Sequence, residues 1–283
     1  QDGILEAYWG EHIHLGYYTP EELKKGFWRK DLIQSKVDFI DEMMKWGGVD
    51  QALIIFPAWL PHITQVLDVG CGFGGTSRYL AKTLGPQADV LGITLSKQQV
   101  KRGTELAEEA GITNAKFQVT DALDMPFEDG TFDVVWACES GEHMPDKKLY
   151  VEEMTRVLKP GGNIVIGTWC QRDDTEVPFS EDETKRLQYM YDQWSHPPFI
   201  SIKAYENLML GTGALEQVAT DDWCEETKVH WRHTILKGIT NPLPGLKALK
   251  KKWWKTLQDL WCIERYAEAF NMGLMVSVDG SNS

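Results

Sequence analysis

The sequence predicts an α/β protein built on a parallel sheet, and three observations carry that prediction. Between residues 61 and 170, short runs rich in Val, Ile and Phe alternate with segments of helical period. The first run, Val66-Leu67-Asp68-Val69, ends in glycines at 70, 72 and 74 and then a helix-like stretch, Thr76–Leu84. At 283 residues the chain has room for one large α/β domain and accessory segments on either side of it. Strands that alternate with helices are joined by crossovers, which makes neighbouring strands parallel.

Residues 1–60 form an aromatic-rich N-terminal cap. A helix is expected there from about Phe27 to Trp46, because Leu32, Ile33, Val37, Ile40, Met43 and Met44 recur at i, i+3/i+4 spacing. The core, 61–170, reads as strands at Gln65–Val69, Val90–Thr94, Ala115–Val119, Phe132–Ala137 and Gly162–Trp169. Helices fall between them at Thr76–Leu84, Lys97–Glu109 and Lys147–Val157. The stretch Lys159-Pro160-Gly161-Gly162 ends the last helix and turns the chain into the next strand. Residues 171–283 mix helices with a strand near Leu215–Thr220 and a closing strand near Met272–Val278.

A formal net charge of −13 argues against a nucleic-acid partner, which requires a basic surface. Cysteines at 71, 138, 170, 224 and 262 show no C-x-x-C pair, which fits a reducing compartment better than a disulfide framework or a zinc site. No metal site is implied. Twelve tryptophans, concentrated outside the glycine loop, point to a bulky apolar or aromatic ligand or to a membrane surface. No apolar run approaches the roughly 18–20 residues that span a bilayer. The longest, Ala52–Leu60, is broken by Pro57. The chain opens on Gln1 without a signal-peptide pattern, consistent with a targeting segment having been removed.

The glycine loop carries the first chemical reading. Glycine tolerates positive φ and lets a ligand approach bare backbone. A dinucleotide fingerprint also needs an acid for the ribose about twenty residues on, where this chain has Thr94. The strict D-x-G-x-G-x-G alternation is instead associated with S-adenosylmethionine (SAM) enzymes, a glycine-rich structural turn being the alternative. Strand ends of an open α/β sheet converge on one crevice. Asp68 is placed to meet the donor's cationic amino group, while Gly70, Gly72 and Gly74 clear space for its methionine and ribose parts. Thr94, followed by Leu95 and Gln99, stands where many such enzymes put an acid on the ribose hydroxyls, and hydroxyl and amide can make those bonds. Asp121, followed by Ala122, suits the adenine amino group, with helix capping as its other reading. After the fourth strand, Glu139, Glu142 and His143 reach the mouth of the crevice.

With these residues in view, the chain resembles the class I SAM-dependent methyltransferases, and within them the tocopherol and methyl-phytyl-benzoquinol methyltransferases of oxygenic phototrophs. The resemblance runs through Tyr8-Trp9-Gly10-Glu11-His12-Ile13-His14-Leu15-Gly16-Tyr17-Tyr18, VLDVGCGFGGTSRYLA, GITLSKQQVKR, ESGEHMPDK from Glu139 to Lys147, and GTWCQRDD. Asp192-Gln193-Trp194-Ser195-His196-Pro197 is most similar to the cyanobacterial branch. The resemblance implies a Rossmann-like, seven-stranded sheet with an N-terminal helical cap and a C-terminal lid over 171–283. It implies SAM as cofactor and methyl transfer to a ring carbon of a prenyl or phytyl hydroquinone or a tocopherol. A plastid membrane surface, or the cytoplasm or membrane periphery of a cyanobacterium, is the implied location. Indole-alkaloid N-methyltransferases of plants share the subfamily, so N- or O-methylation of a small molecule is the alternative. A SAM-binding protein without catalysis is the reading from a different class.

A phenol becomes nucleophilic at its ortho carbon once its hydroxyl is deprotonated, so a general base is expected. His143 is the first choice, because an imidazole titrates near neutrality. His12 and His14 are rivals on a segment expected to fold over the donor, and Glu139 could orient a histidine or contact the donor. Each histidine could equally be an ordinary packing residue. Tyr8, Trp9, Tyr17 and Tyr18 could cap the donor and shield its sulfonium by cation–π contact, or form an aromatic core of the cap. Between 246 and 261, Leu246, Leu249, Trp253, Leu257, Leu260 and Trp261 share one helical face, flanked by five lysines. That pattern suits an interfacial helix at an anionic membrane, or a helix docked on its own domain or on a second copy.

Overall fold

Strands β1 (Gln65–Val69), β2 (Asp89–Thr94), β3 (Ala115–Val119), β4 (Phe132–Cys138), β5 (Leu158–Gln171), β6 (Ala219–Asp222) and β7 (Met275–Ser281) form one sheet. Their order is β3-β2-β1-β4-β5-β7-β6. The computed structural model describes residues 10–49, 64–175, 177–194, 196–241, 261–273 and 275–281. β1 to β5 are parallel, and β7 runs antiparallel between β5 and β6. From β1 the chain winds outward through β2 to β3 and then returns to place β4 on the other side of β1. That reversal opens a crevice at the carboxyl ends of β1 and β4, where such sheets bind ligands.

Alternate residues of the central strands face opposite ways, and each face is covered. Val66, Val134 and Trp136 pack with Phe39, Met43 and Leu80, from helices α2 (Leu32–Trp46) and α3 (Gly75–Leu84). Leu67, Val135 and Ala137 pack with Val151, Met154 and Met209, from α5 (Lys147–Val157) and α7 (Ile202–Gly211). Helix α4 (Lys97–Glu109) lies between β2 and β3 in the chain. A third cluster, including Trp169, Phe199, Trp231, Tyr266 and Phe270, joins the end of β5 to α6 (Glu181–Trp194), α9 (Val229–Thr240) and helical residues 261–271. A short helix, α8 (Cys224–Thr227), precedes α9.

Several boundaries differ from the sequence-based expectation for local reasons. The cap helix starts at Leu32, not Phe27, because Asp31 accepts from the amides of Ile33 and Gln34 and so caps it. Phe27–Arg29 is a separate 3-10 turn after Gly26, whose φ is +100°. A helix not anticipated, α1 (Pro20–Lys25), begins with a reciprocal capping box between Thr19 and Glu22. β5 begins at Leu158, so Lys159–Gly162 is an irregular part of the strand and not a turn before it. The register there jumps from Phe132↔Leu158 to Val134↔Asn163. β7 starts at Met275 because helix and turn run on to Gly273, at φ +67°. β6 lies at Ala219–Asp222, where it pairs with β7, later than the expected Leu215–Thr220. Tyr8, Trp9 and residues 246–260 lie outside the described residues. Among the described residues no helix is long and apolar enough to cross a membrane.

Candidate active site

The loop after β1 turns sharply because the amides of Gly70 and Cys71 both donate to the carbonyl of Ile93, at 2.9 Å each. Gly70, Gly72 and Gly74 have φ of +82°, +55° and +72°, the left-handed region glycine enters without strain. Two of them also admit close neighbours. A Cβ on Gly70 would meet Cβ of Ser140 at 2.3 Å, and one on Gly74 would meet the Phe117 ring at 2.1 Å. Gly72 faces open space, with Ile13 Cδ1 its nearest neighbour at 3.9 Å.

Residues 10–18 cross this loop as a strap, and together they enclose a cavity lined by Glu11 to His14, the glycine loop, Asp68 and Glu139. Buried Arg78 donates to the carbonyl of Phe73 at 2.6 Å and to the Glu11 carboxylate at 2.5 Å. The Lys36 ammonium donates to the carbonyl of His12 at 2.8 Å. The amide of Leu15 donates to Oε1 of Glu139 at 2.9 Å. The amide of Tyr17 donates to the carbonyl of Ser35 at 2.8 Å.

The acids around this cavity are out of water. Asp68, at the end of β1, accepts from the Ser77 hydroxyl at 2.6 Å. Burial raises it to about 6 against the pull of Ser77. Glu139, just past β4, is the one non-glycine residue with positive φ (+48°) among the described residues. Strain of that kind persists where the surroundings hold it in place. Burial first, and then the neighbouring Glu142 carboxylate, raise Glu139 to about 8, with the Leu15 amide and Lys36 opposing. Burial raises Glu142 as well, although it accepts from the Thr168 hydroxyl at 2.9 Å. Lys36 on α2 is fully buried, and burial lowers it to about 7 against the attraction of Glu139. Lys147 donates to the carbonyls of Glu142 and Met144, and burial lowers it to about 8.

Of the three candidate histidines, the cavity holds His12 and His14 but not His143. The Nδ1 of His14 lies 2.8 Å from the carbonyl of Leu15. A carbonyl only accepts, so Nδ1 carries the hydrogen and Nε2 presents a lone pair. That Nε2, and Nδ1 of His12, are buried without a hydrogen-bond partner. Burial lowers His12 to about 4 and His14 well below its ordinary value, so both are neutral imidazoles. His143 instead ends the 3-10 turn Gly141–His143, exposed, its ring stacked on His196 at 4.6 Å. The turn carries it past the strand end and out of the crevice.

The residues expected at the ribose and adenine do not line this cavity. Thr94 donates to Oε1 of Gln99 at 2.7 Å, while Leu95 is 70% exposed. Exposed Asp121 accepts from the amide of Leu123 at 2.9 Å, as a turn residue does, and Ala122 is buried in the core. Tyr17 does not line the cavity; its ring packs edge-on against Trp223 at 5.3 Å. Tyr18 is buried, its hydroxyl 2.8 Å from Nδ1 of His233. These two tyrosines therefore take the aromatic-core reading. Lys36 and the Arg78–Glu11 clamp were missed in the sequence, since a lysine on a helix with Asp38 and Asp41 nearby reads as a solvated face.

The residues present fit SAM. The glycine loop is a cradle in which one glycine would point a Cβ into open space. Two buried carboxylates, Asp68 and Glu139, suit a cation, and two buried ring nitrogens await a polar ligand. A family model described as a methyltransferase domain matches residues 62–243. The chain is 46% identical to a 2-methyl-6-phytyl-1,4-hydroquinone methyltransferase of Synechocystis sp., over 97% of this chain and 81% of that protein. It is 36% identical to a chloroplastic tocopherol O-methyltransferase of Arabidopsis thaliana, over 96% of this chain and 76% of that one. The fold matches geranyl diphosphate C-methyltransferase from Streptomyces coelicolor A3(2), solved with S-adenosyl-L-homocysteine, with TM-score 0.72 and 19% identity over 100% and 93% of the two chains. Loop, crevice and relatives agree, and the chain belongs to the SAM-dependent methyltransferases.

Proposed function

We propose that this methyltransferase methylates a ring carbon of a prenyl- or phytyl-hydroquinone. The similarity to the Synechocystis hydroquinone methyltransferase over nearly the whole chain carries the reading. The closed, carboxylate-lined cavity supports it. When bound, SAM supplies an electrophilic methyl on a sulfonium. Asp68 holds the donor's amino group, and the glycine loop leaves room for its methionine and ribose parts. Thr94, Gln99 and Asp121 offer hydrogen bonds to the nucleoside. Alignment of two reactants alone can supply roughly 7–11 kcal/mol.

His14 Nε2 accepts the hydrogen bond of the acceptor's hydroxyl. His14 is too weak a base to keep the proton, whereas Glu139, on the same cavity, is suited to do so. The electrons this frees on the ring displace sulfur at the methyl group, so a C–C bond forms as the C–S bond breaks. The ring then loses its hydrogen as the hydroxyl is restored, one proton being released overall. The enzyme works at the periphery of a plastid or cyanobacterial membrane, where a prenylated acceptor resides, and the lysine-flanked segment 246–261 is its contact.

The test is incubation with methyl-labelled SAM and a panel of phytyl-hydroquinone, γ-tocopherol and an indole-type amine, followed by product mass. Label on a hydroquinone ring carbon supports the proposal. Label on nitrogen or on a hydroxyl oxygen alone overturns it.

A further inference from the structure

We infer that Glu139, held beside buried Lys36, exchanges a proton for the positive charge of the methyl donor, so that the site stays neutral through donor binding and methyl transfer. The inference rests on the methyltransferase reading above but not on the identity of the acceptor.

It starts from a count of buried charge. Asp68, Glu139 and Glu142 are carboxylates, and Lys36 and Lys147 are ammoniums, none more than 9% exposed; the remaining buried charge, Arg78, is met by the Glu11 carboxylate it holds. His12 and His14 are neutral. Fully ionised, these five groups leave one negative charge uncompensated in a medium where isolated charge is costly. One bound proton neutralises the set. Glu139 is the group placed to hold it. It faces His14 of the strap, Lys36 of α2, Asp68 at the end of β1 and Glu142 of its own turn, and it lines the cavity itself. Glu142 lies behind it, its carboxylate committed to Thr168 and attracted by Lys147, which donates to its backbone carbonyl.

SAM carries an ammonium, a carboxylate and a sulfonium, a net charge of one positive unit. With that charge in the cavity Glu139 ionises and its proton leaves, so the closed site stays neutral. Transfer turns the sulfonium into an uncharged thioether, the C–S bonding pair staying on sulfur. Glu139 takes the acceptor's hydroxyl proton as the ring carbon attacks, and neutrality is kept. A carboxylate that is protonated in the resting enzyme thus becomes a base only when a methyl group is available. Lys36 is a positioning residue here: its charge sets how readily Glu139 ionises, and it touches neither reactant.

The experiment is titration calorimetry of SAM and of S-adenosylhomocysteine in phosphate and Tris buffers, which differ in ionisation enthalpy. About one proton should leave per SAM bound near neutral pH, and fewer per S-adenosylhomocysteine. SAM affinity should rise by up to about tenfold per pH unit until Glu139 ionises unaided. Asp68 titrates lower, at about 6, so above about pH 7 the slope belongs to Glu139. Glu139→Gln keeps the acceptor for the Leu15 amide yet should lose both the extra proton and the slope. Lys36→Met should retain the release but move it to higher pH, a displacement that a purely structural lysine would not cause. Equal proton release in wild type and Glu139→Gln overturns the inference. Should Glu139→Gln not fold, equal release by the two ligands in wild type overturns it. No acceptor is present, so failure here and failure of the hydroquinone assignment are separate results.

Discussion

Replacing Gly72 and Gly74 with alanine, one at a time, should separate the fold from the site within three residues. Both have positive φ, so each alanine carries a left-handed backbone penalty of about 1–2 kcal/mol. A smaller unfolded-state entropy offsets about 0.4–1 kcal/mol of it. At Gly74 the new methyl would lie 2.1 Å from the Phe117 ring, inside contact distance. Displacing a packed ring from its place between α3 and α4 adds about 1–3 kcal/mol. At Gly72 the new methyl meets nothing nearer than Ile13 Cδ1 at 3.9 Å, across the cavity both residues line. Gly74→Ala should therefore cost about 2–4 kcal/mol, several degrees of Tm or more, whereas Gly72→Ala should cost about 1 kcal/mol. Donor affinity should show the reverse, with Gly72→Ala losing tenfold or more by filling space the donor uses. Urea denaturation and SAM titration of both variants measure the two effects. Equal losses of stability, or unimpaired SAM binding by Gly72→Ala, would refute the reasoning.

Ser77→Ala removes the hydroxyl that stabilises ionised Asp68, so the carboxyl should rise further above about 6 and SAM affinity should fall near neutrality. The deficit should shrink as pH is raised, which titration at two pH values checks. His14→Ala should lower kcat by about 10²–10⁴ with little change in donor affinity, while His143→Ala, outside the cavity lining, should stay within a few-fold of wild type. Steady-state kinetics of the pair decides, and a larger loss at His143 would return it to the mechanism. Without donor, wild-type Glu139 binds its proton more tightly folded than unfolded. Its contribution to stability is therefore present below about pH 4.5 and lost as pH rises to about 8. The stability of Glu139→Gln relative to wild type should climb across that window and then level off in denaturant melts; a flat difference would count against a protonated Glu139.

The parts of the fold that local chemistry dictates were legible in the sequence. β1, β3 and helices α4 and α5 fall at the expected residues, because apolar periodicity and the caps Ser96 and Asp146 act within a few positions. β6 and β7 were displaced because their limits come from long-range pairing, β7 with β6 and with β5, and not from local sequence. The donor loop was readable because its glycines must take positive φ wherever they stand. The base was not. His143 and His14 both follow plausible patterns, and only the fold of the 3-10 turn and the strap decides which one enters the cavity. Lys36 was invisible for the same reason: its burial is imposed by a segment more than twenty residues earlier.

In the proposed mechanism, the bond from the Leu15 amide to Glu139 makes one carboxylate serve two purposes, as the acceptor of the reaction's proton and as a fastening for the strap. Hydrogen bonds to an ionised acceptor are roughly twice as strong as neutral ones. The latch is thus tightest while a charged donor is aboard and weakens once the proton has been delivered. In that mechanism, departure of the spent donor is timed by completion of the chemistry, and an unreacted one is retained, with no moving part beyond the side chain that the reaction already uses.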